Sequence, residues 1–138
     1  MVDGECEVKH TESILYQTLK NNLPMLDLCR IESDMGDGIP DVNYTLGWIE
    51  LKVTIGWAVG LRAAQVGWIR RRIRRGGIAF VSIWQKGSTR DNLWIVPGEM
   101  VELLSSEGLH GVENKSETGL WTGGPTSWDW SAIHKFLT

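Results

Sequence analysis

From Asp41 to Val53 polar and apolar side chains alternate almost without a break, in the order Asp41-Val42-Asn43-Tyr44-Thr45-Leu46-Gly47-Trp48-Ile49-Glu50-Leu51-Lys52-Val53. Successive side chains of an extended strand point to opposite faces, so a period of two over this length demands β structure with one face on a core. A two-residue turn at Leu46-Gly47 predicts a hairpin in which Thr45 faces Trp48, Asn43 faces Glu50 and Asp41 faces Lys52. One face then carries Asp41, Asn43, Thr45, Trp48, Glu50 and Lys52, and the other Val42, Tyr44, Ile49, Leu51 and Val53. The cross-strand partners depend on where the turn falls. That Glu50 and Lys52 share a face does not.

Other elements follow from the same kind of pattern. Thr11 to Asn22 reads as a helix, capped by Thr11, with Ile14, Leu15, Thr18 and Leu19 on one stripe and Pro24 beyond its end. Met25 to Ile31 reads as a strand, and a turn-rich loop leads to Pro40. Val59 to Arg75 reads as a helix closed by Gly76 and Gly77. Ile78 to Gln85 and Asn92 to Val96 read as strands, and Glu99 to Leu104 as a short helix. Glu107 to Ser127 is rich in Gly, Ser and Thr and reads as irregular, with a last helix at Trp128 to Phe136. The order α-β-β-β-α-β-β predicts an α/β fold, a mixed sheet flanked by helices. With 138 residues, one domain is expected.

Charge is distributed unevenly. The net charge is −3, yet Lys52, Arg62, Arg70, Arg71, Arg72, Arg74, Arg75, Lys86 and Arg90 all lie in a stretch with no Asp or Glu. Such asymmetry points to a polyanionic partner. An arginine-rich solvated helix face would give the same composition. On a helical wheel Ala58, Arg62, Gln65, Ile69 and Arg72 share one side, beside a core stripe of Val59, Val66 and Ile73. Arg71, Arg74 and Arg75 then point away from the core, and Arg72 toward the Arg62 and Gln65 side. No apolar window is long enough to span a membrane. The acidic, polar start from Met1 to Lys9 does not match a secretory signal, and a cytoplasmic protein is expected. Cys6 and Cys29 lack metal-site spacing and read as reduced thiols.

Two carboxylates beside a lysine have a chemical use. Mg²⁺ prefers oxygen ligands and keeps several waters, so Asp41 and Glu50 could hold it with a phosphate oxygen completing the shell. The ion would polarise the phosphate and supply a hydroxide-like nucleophile. Lys52 could orient or deprotonate the attacking water and offset charge in the transition state. An exposed hairpin with an ordinary Glu/Lys surface pair has the same spacing.

Gly38-Ile39-Pro40-Asp41, followed by Glu50-Leu51-Lys52, resembles the PD-(D/E)xK nuclease motif. With Gly47-Trp48-Ile49-Glu50-Leu51-Lys52 and the later Arg62-Ala63-Ala64-Gln65-Val66-Gly67-Trp68, the chain looks like the VRR-NUC group, over about residues 11–88. That group includes stand-alone phage nucleases and domains of larger repair enzymes. The resemblance implies a restriction-endonuclease-like sheet with an αβββαβ core at about residues 9–97, and a Trp-rich C-terminal extension at about 98–138. It implies catalytic roles for Asp41, Glu50, Lys52 and Gln65. Glu12 matches a metal-assisting acid on the first helix, with Glu5 and Glu7 as rivals, and the metal ligands would be Asp41, Glu50, the Leu51 backbone carbonyl and Glu12. Mg²⁺ is the implied cofactor, with Mn²⁺ as a substitute. DNA contacts fall to Arg62, Arg70, Arg71, Arg72, Arg74 and Arg75. Related resolvases act on branched DNA such as four-way junctions, as homodimers, in a phage-infected or bacterial cell.

Other readings compete. A nicking or end-processing nuclease would share the site, and a non-catalytic nucleic-acid-binding module would share the fold but has no need to gather carboxylates. Trp121, Trp128 and Trp130 could stack on unpaired bases, though a core role is the commoner use of tryptophan. His10, His110 and His134 have no metal-ligand spacing, and Ser33 reads as a turn residue.

Overall fold

A computed structural model describes residues 4–31, 37–87 and 91–138, and the side chains of all of these except residues 4–10. Cys6, His10, Ser33, Glu5, Glu7 and Arg90 therefore lie, in whole or in side chain, outside the described residues. Helix α1 covers Gly4–Asn22, so Thr11 is an interior residue and not a cap. Strands β1 (Cys29–Arg30), β2 (Val42–Asn43) and β3 (Trp48–Thr54) follow, then helix α2 (Ala63–Arg74) and strands β4 (Ala79–Gln85) and β5 (Asn92–Pro97). Helices α3 (Val101–Glu107) and α4 (Leu109–Val112), strand β6 (Gly119–Trp121) and helix α5 (Trp130–Leu137) complete the chain. The predicted order of the first seven elements is the observed one.

The six strands form one sheet in sequence order, with β3 and β4 parallel and every other neighbouring pair antiparallel. The parallel pair needs a crossover, and α2 supplies it. Two apolar clusters fill the two faces. On one face Leu15 and Leu19 of α1 meet Ile49, Leu51, Leu93 and Ile95 of the sheet and Ile133 and Leu137 of α5. On the other, Ile69 of α2 meets Val81, Ile83, Trp94 and Val96, with Val101, Leu104 and Leu109 from α3 and α4.

Four expectations need correction. The strand expected at Met25 to Ile31 is only two residues long. Pro24 opens a 3-10 turn, and Asp27 takes a left-handed conformation with φ 52°, so the chain extends only after Leu28. The helix expected from Val59 starts at Ala63: Leu61 donates its backbone N–H to the Val59 carbonyl at 3.0 Å, a tight turn about Gly60, and Arg62 is extended. Its buried residues are Gln65 and Ile69, while Val66 and Ile73 are only partly buried, so the centre of the core-facing side lies on Gln65 and Ile69 and not on the expected Val59, Val66 and Ile73 stripe beside them. Finally, the stretch from Glu107 to Ser127 is not wholly irregular: it holds α4 and the edge strand β6. Its apolar residues Leu109 and Val112 are buried, and burial outweighs a Gly- and Ser-rich composition.

The Trp-rich region from residue 98 onward is part of the core. Trp128 is buried, packs edge-on against Trp84 and donates its indole N–H to the Asp91 carbonyl at 3.2 Å. Trp121 and Trp130 pack partly buried on the same cluster. Buried Tyr44 donates to the Leu137 carbonyl at 2.7 Å, tying the hairpin to α5, and burial pushes its phenol up to about 12. These tryptophans are occupied within the chain, in the core role expected as the commoner use of tryptophan.

Candidate active site

The hairpin turn sets the site. Tyr44 and Gly47 exchange both backbone hydrogen bonds, so the two turn residues are Thr45 and Leu46, one position earlier than the sequence suggests. The turn moves because Gly47 is needed elsewhere. A Cβ on it would lie 2.2 Å from the Ile78 carbonyl oxygen, so only glycine lets β3 start against the approach to β4. The register becomes Asn43 with Trp48 and Val42 with Ile49. Each partner thus shifts by two residues, and a shift of two preserves the faces. Asp41, one residue before β2, then falls opposite Glu50 instead of Lys52. That pair is of the non-hydrogen-bonded kind, in which opposed Cα atoms approach to about 4.5 Å.

Asp41 also ends the ladder. Its Oδ2 accepts the Leu51 backbone N–H at 3.0 Å. The N–H and C=O of one strand residue point to the same edge, so the Leu51 carbonyl faces the same gap, where β2 has stopped. Residues 37–40, which lead into Asp41, are held in place against α2. Gly38 has φ +87°, and a Cβ on it would lie 2.2 Å from the Ala64 carbonyl oxygen, so the loop rests on the first turn of α2. Asp37 reinforces this contact by accepting from Arg62 Nη1 at 2.9 Å. Gly38→Ala should cost about 2 kcal/mol or more, since a left-handed backbone alone costs a non-glycine residue 1–3 kcal/mol. A urea melt checks this, and an unchanged midpoint would show that the loop does not rest on α2.

Glu50 is 1% exposed, Gln65 is 7% exposed and the Lys52 side chain is 15% exposed. The face that sequence alternation marks as polar is therefore covered by α2, not open to solvent. Gln65 joins the group. Its Nε2 donates to Glu50 Oε2 at 2.8 Å, and its Oε1 accepts from Lys52 Nζ at 3.1 Å and from the Arg62 backbone N–H at 2.9 Å. Lys52 Nζ also lies 3.5 Å from Glu50 Oε2. The second Glu50 oxygen, Oε1, is buried with no donor. Glu50 meets the Asp41 carboxyl group side chain to side chain, and two acceptors form a hydrogen bond only if a proton lies between them.

Burial first, and then the Asp41 charge, push the Glu50 carboxyl up to about 8; Lys52 pulls it down, and Glu12 adds to the rise. A carboxylate this expensive to ionise, with an unpartnered oxygen beside a second carboxylate, is suited to a cation. Asp41, Glu50 and the Leu51 carbonyl are the hard oxygen donors that Mg²⁺ or Mn²⁺ takes. Among the described residues no three or more His, Cys, Asp or Glu side chains gather closely enough to hold a metal by themselves. Glu12 acts on Glu50 through its charge, so a metal held here would draw on backbone and water as well as side chains.

The arginines divide. Arg62 pairs with Asp37, and Arg70 pairs with Glu102 of α3 at 3.0 Å, both in the open. Arg71, Arg72, Arg74 and Arg75 are exposed, with no acidic partner among the described residues. Arg72 lies over the Trp68 ring at 4.4 Å and the Trp48 ring at 5.6 Å, toward the start of β3 and away from Lys52. Trp68 belongs to the sequence pattern but had no role in it. Its spacing of four from Arg72 on one helix was the available signal. His110 stacks on Trp57 with ring centroids 4.0 Å apart, and Cys29 is a free, exposed thiol. No helix among the described residues is long and apolar enough to cross a membrane. Comparison with protein-family models, with curated proteins and with solved structures finds no match.

Proposed function

We propose that this chain is a metal-dependent nuclease with a restriction-endonuclease-like core, hydrolysing phosphodiester bonds in DNA, with branched DNA such as a four-way junction as the preferred substrate. The observation that carries this reading is the buried Glu50 carboxyl beside the half-buried Asp41, with one Glu50 oxygen lacking a donor and Lys52 and Gln65 packed against it. A structural ion pair would give Glu50 one cation and no second carboxylate. Asp41, Glu50 and the Leu51 carbonyl would hold Mg²⁺ or Mn²⁺, with Glu12 reinforcing the negative field. When bound, the metal supplies Lewis-acid polarisation of the phosphate and a more acidic water.

The chain's own residues do the rest. Lys52 presents an ammonium at the rim of the carboxyl pair, where it offsets charge that builds on the phosphate oxygens. Gln65 holds Lys52 and Glu50 at fixed separation through its two ends, so it is a positioning residue. The exposed arginines of α2 neutralise backbone phosphates and bring the polyanion to the site. Cutting two strands symmetrically would need two copies, so a homodimer accompanies the junction reading. Light scattering tests it, and a monomer that still resolves junctions would rule it out.

The substrate panel is plasmid, linear duplex, nicked duplex and a synthetic four-way junction, each with Mg²⁺, Mn²⁺, Ca²⁺ or EDTA. Cleavage is expected with Mg²⁺ and Mn²⁺, fastest on the junction, and absent in EDTA. Ca²⁺ should bind with little turnover, because its looser shell positions the water poorly. Equal rates on all substrates would favour a nicking or end-processing nuclease. Binding to all of them with no cleavage in any metal would leave a non-catalytic module.

A further inference from the structure

We infer that the end of α2 carries a separate phosphate subsite, built by Arg71, Arg72 and Arg75 on a tryptophan platform, that grips the nucleic-acid backbone away from the scissile bond. It rests on the nuclease reading for its substrate and adds a second point of contact to it. A cleft of about 460 Å³ is lined by Trp68, Arg71, Arg72, Arg75, Gly76 and Gly77. Arg72 is held on two sides. Its guanidinium lies over the Trp68 ring, and its aliphatic stem lies where a Cβ on Gly77 would fall, within 2.6 Å of Arg72 Cδ. Stacking on an indole fixes the plane of a guanidinium and leaves its N–H edge outward, the arrangement that takes two phosphate oxygens at once. No acid neutralises it among the described residues, in contrast to Arg62 and Arg70.

Arginines in a last helical turn also offset the helix dipole. That role needs only charge, so it would not require a glycine to make room for the stem or a tryptophan beneath the guanidinium. The placement relative to the carboxyl pair is also regular. Gln65 and Arg72 are the two ends of the α2 stripe that meets β3, Gln65 at Glu50 and Arg72 at Trp48. Seven residues of helix separate them, about 10 Å at 1.5 Å per residue.

Binding is measured in EDTA, so that neither metal nor cleavage contributes, with a fluorescent DNA duplex and with inorganic phosphate as probes over a salt series. Arg72→Gln should weaken duplex binding roughly tenfold or more, as for loss of a charge-assisted hydrogen bond. It should also lower the salt slope by about 0.9. Arg72→Lys and Gly77→Ala keep the charge but lose the stacked plane or the room for it, and they should show most of the same loss with an unchanged melting temperature. Arg74→Gln removes an equal charge outside the cleft and should weaken binding far less than Arg72→Gln, through general charge alone. Inorganic phosphate should compete only weakly, because a strand engages more than one cation. Equal binding by Arg72→Lys and wild type, or equal losses in Arg72→Gln and Arg74→Gln, would overturn the subsite. Competition by phosphate as strong as that of the duplex would overturn the assignment to a strand. Arg72-dependent binding in a wild type that cuts nothing with Mg²⁺ would keep the subsite and discard the nuclease; cleavage without Arg72 dependence would do the reverse.

Discussion

Replacing Lys52 with alanine should lower single-turnover cleavage by on the order of 10²-fold or more, as for removal of a charge-stabilising or proton-handling group. Metal binding should largely survive, since Lys52 contributes no oxygen. One coupling is expected. Lys52 is the group that pulls the Glu50 carboxyl down, so without it Glu50 holds its proton to higher pH and metal competes with that proton less well. The affinity lost in Lys52→Ala should therefore be largest near neutrality and should close as pH rises above 8. Calorimetric metal titrations at two pH values, beside single-turnover rates, separate the two effects. Wild-type cleavage by Lys52→Ala would remove Lys52 from the chemistry. An affinity loss independent of pH would place its action on the metal itself.

Glu50→Gln should abolish cleavage and yet stabilise the metal-free protein at high pH. Folding raises the Glu50 carboxyl from an ordinary 4.5 to about 8, so the folded chain binds a proton that the unfolded chain releases. The stability this contributes is fully present below pH 4.5 and is lost as pH rises through 8. Within that window stability falls by up to about 1.4 kcal/mol per pH unit from this one group. Glutamine removes the ionisation and keeps the acceptor for Gln65, and its amide can donate to Asp41, the donor that Glu50 lacks. Thermal melts in EDTA should therefore show the two proteins converging toward pH 5 and the variant ahead at pH 8. Adding Mg²⁺ or Ca²⁺ at pH 8 should raise the wild-type melting temperature and leave that of Glu50→Gln unmoved. Parallel pH profiles for the two proteins would mean that Glu50 ionises freely and is not built for a cation.

How far these residues were legible depended on which physical signal each one carried. The alternation from Asp41 to Val53 placed Asp41, Glu50 and Lys52 on one face even though the turn was misplaced, because a two-residue slip cannot change a face. What it could not give was cover. Glu50 reads as the polar side of an amphipathic strand, and only the packing of Gln65 and Ile69 above it shows that the polar side is buried. The α2 wheel grouped Gln65 with Ile69, which are its two buried residues, and turned Arg71, Arg74 and Arg75 outward, as observed. It erred in counting Val59, which precedes the helix, and in centring the core stripe on Val66 and Ile73, which are only partly buried. The tryptophans from Trp121 to Trp130 looked like an appendage because no pattern tied them to the strands. Their partners, Trp84 and Phe136, are distant in sequence or on a different element. The Arg72 stack was partly legible as an i, i+4 pair with Trp68, but the contribution of Gly77 was not.

The central claim is that the Asp41–Glu50 pair is a metal-dependent centre for phosphodiester hydrolysis. Its most direct test is single-turnover cleavage of a synthetic four-way junction by the wild type and by Asp41→Asn, each with Mg²⁺ and with EDTA. Asparagine keeps an oxygen able to accept the Leu51 N–H, so the hairpin should stay in register while the anionic metal ligand is gone. The account predicts cleavage only by the wild type with Mg²⁺. Cleavage by the wild type in EDTA, or by Asp41→Asn at the wild-type rate, would contradict it.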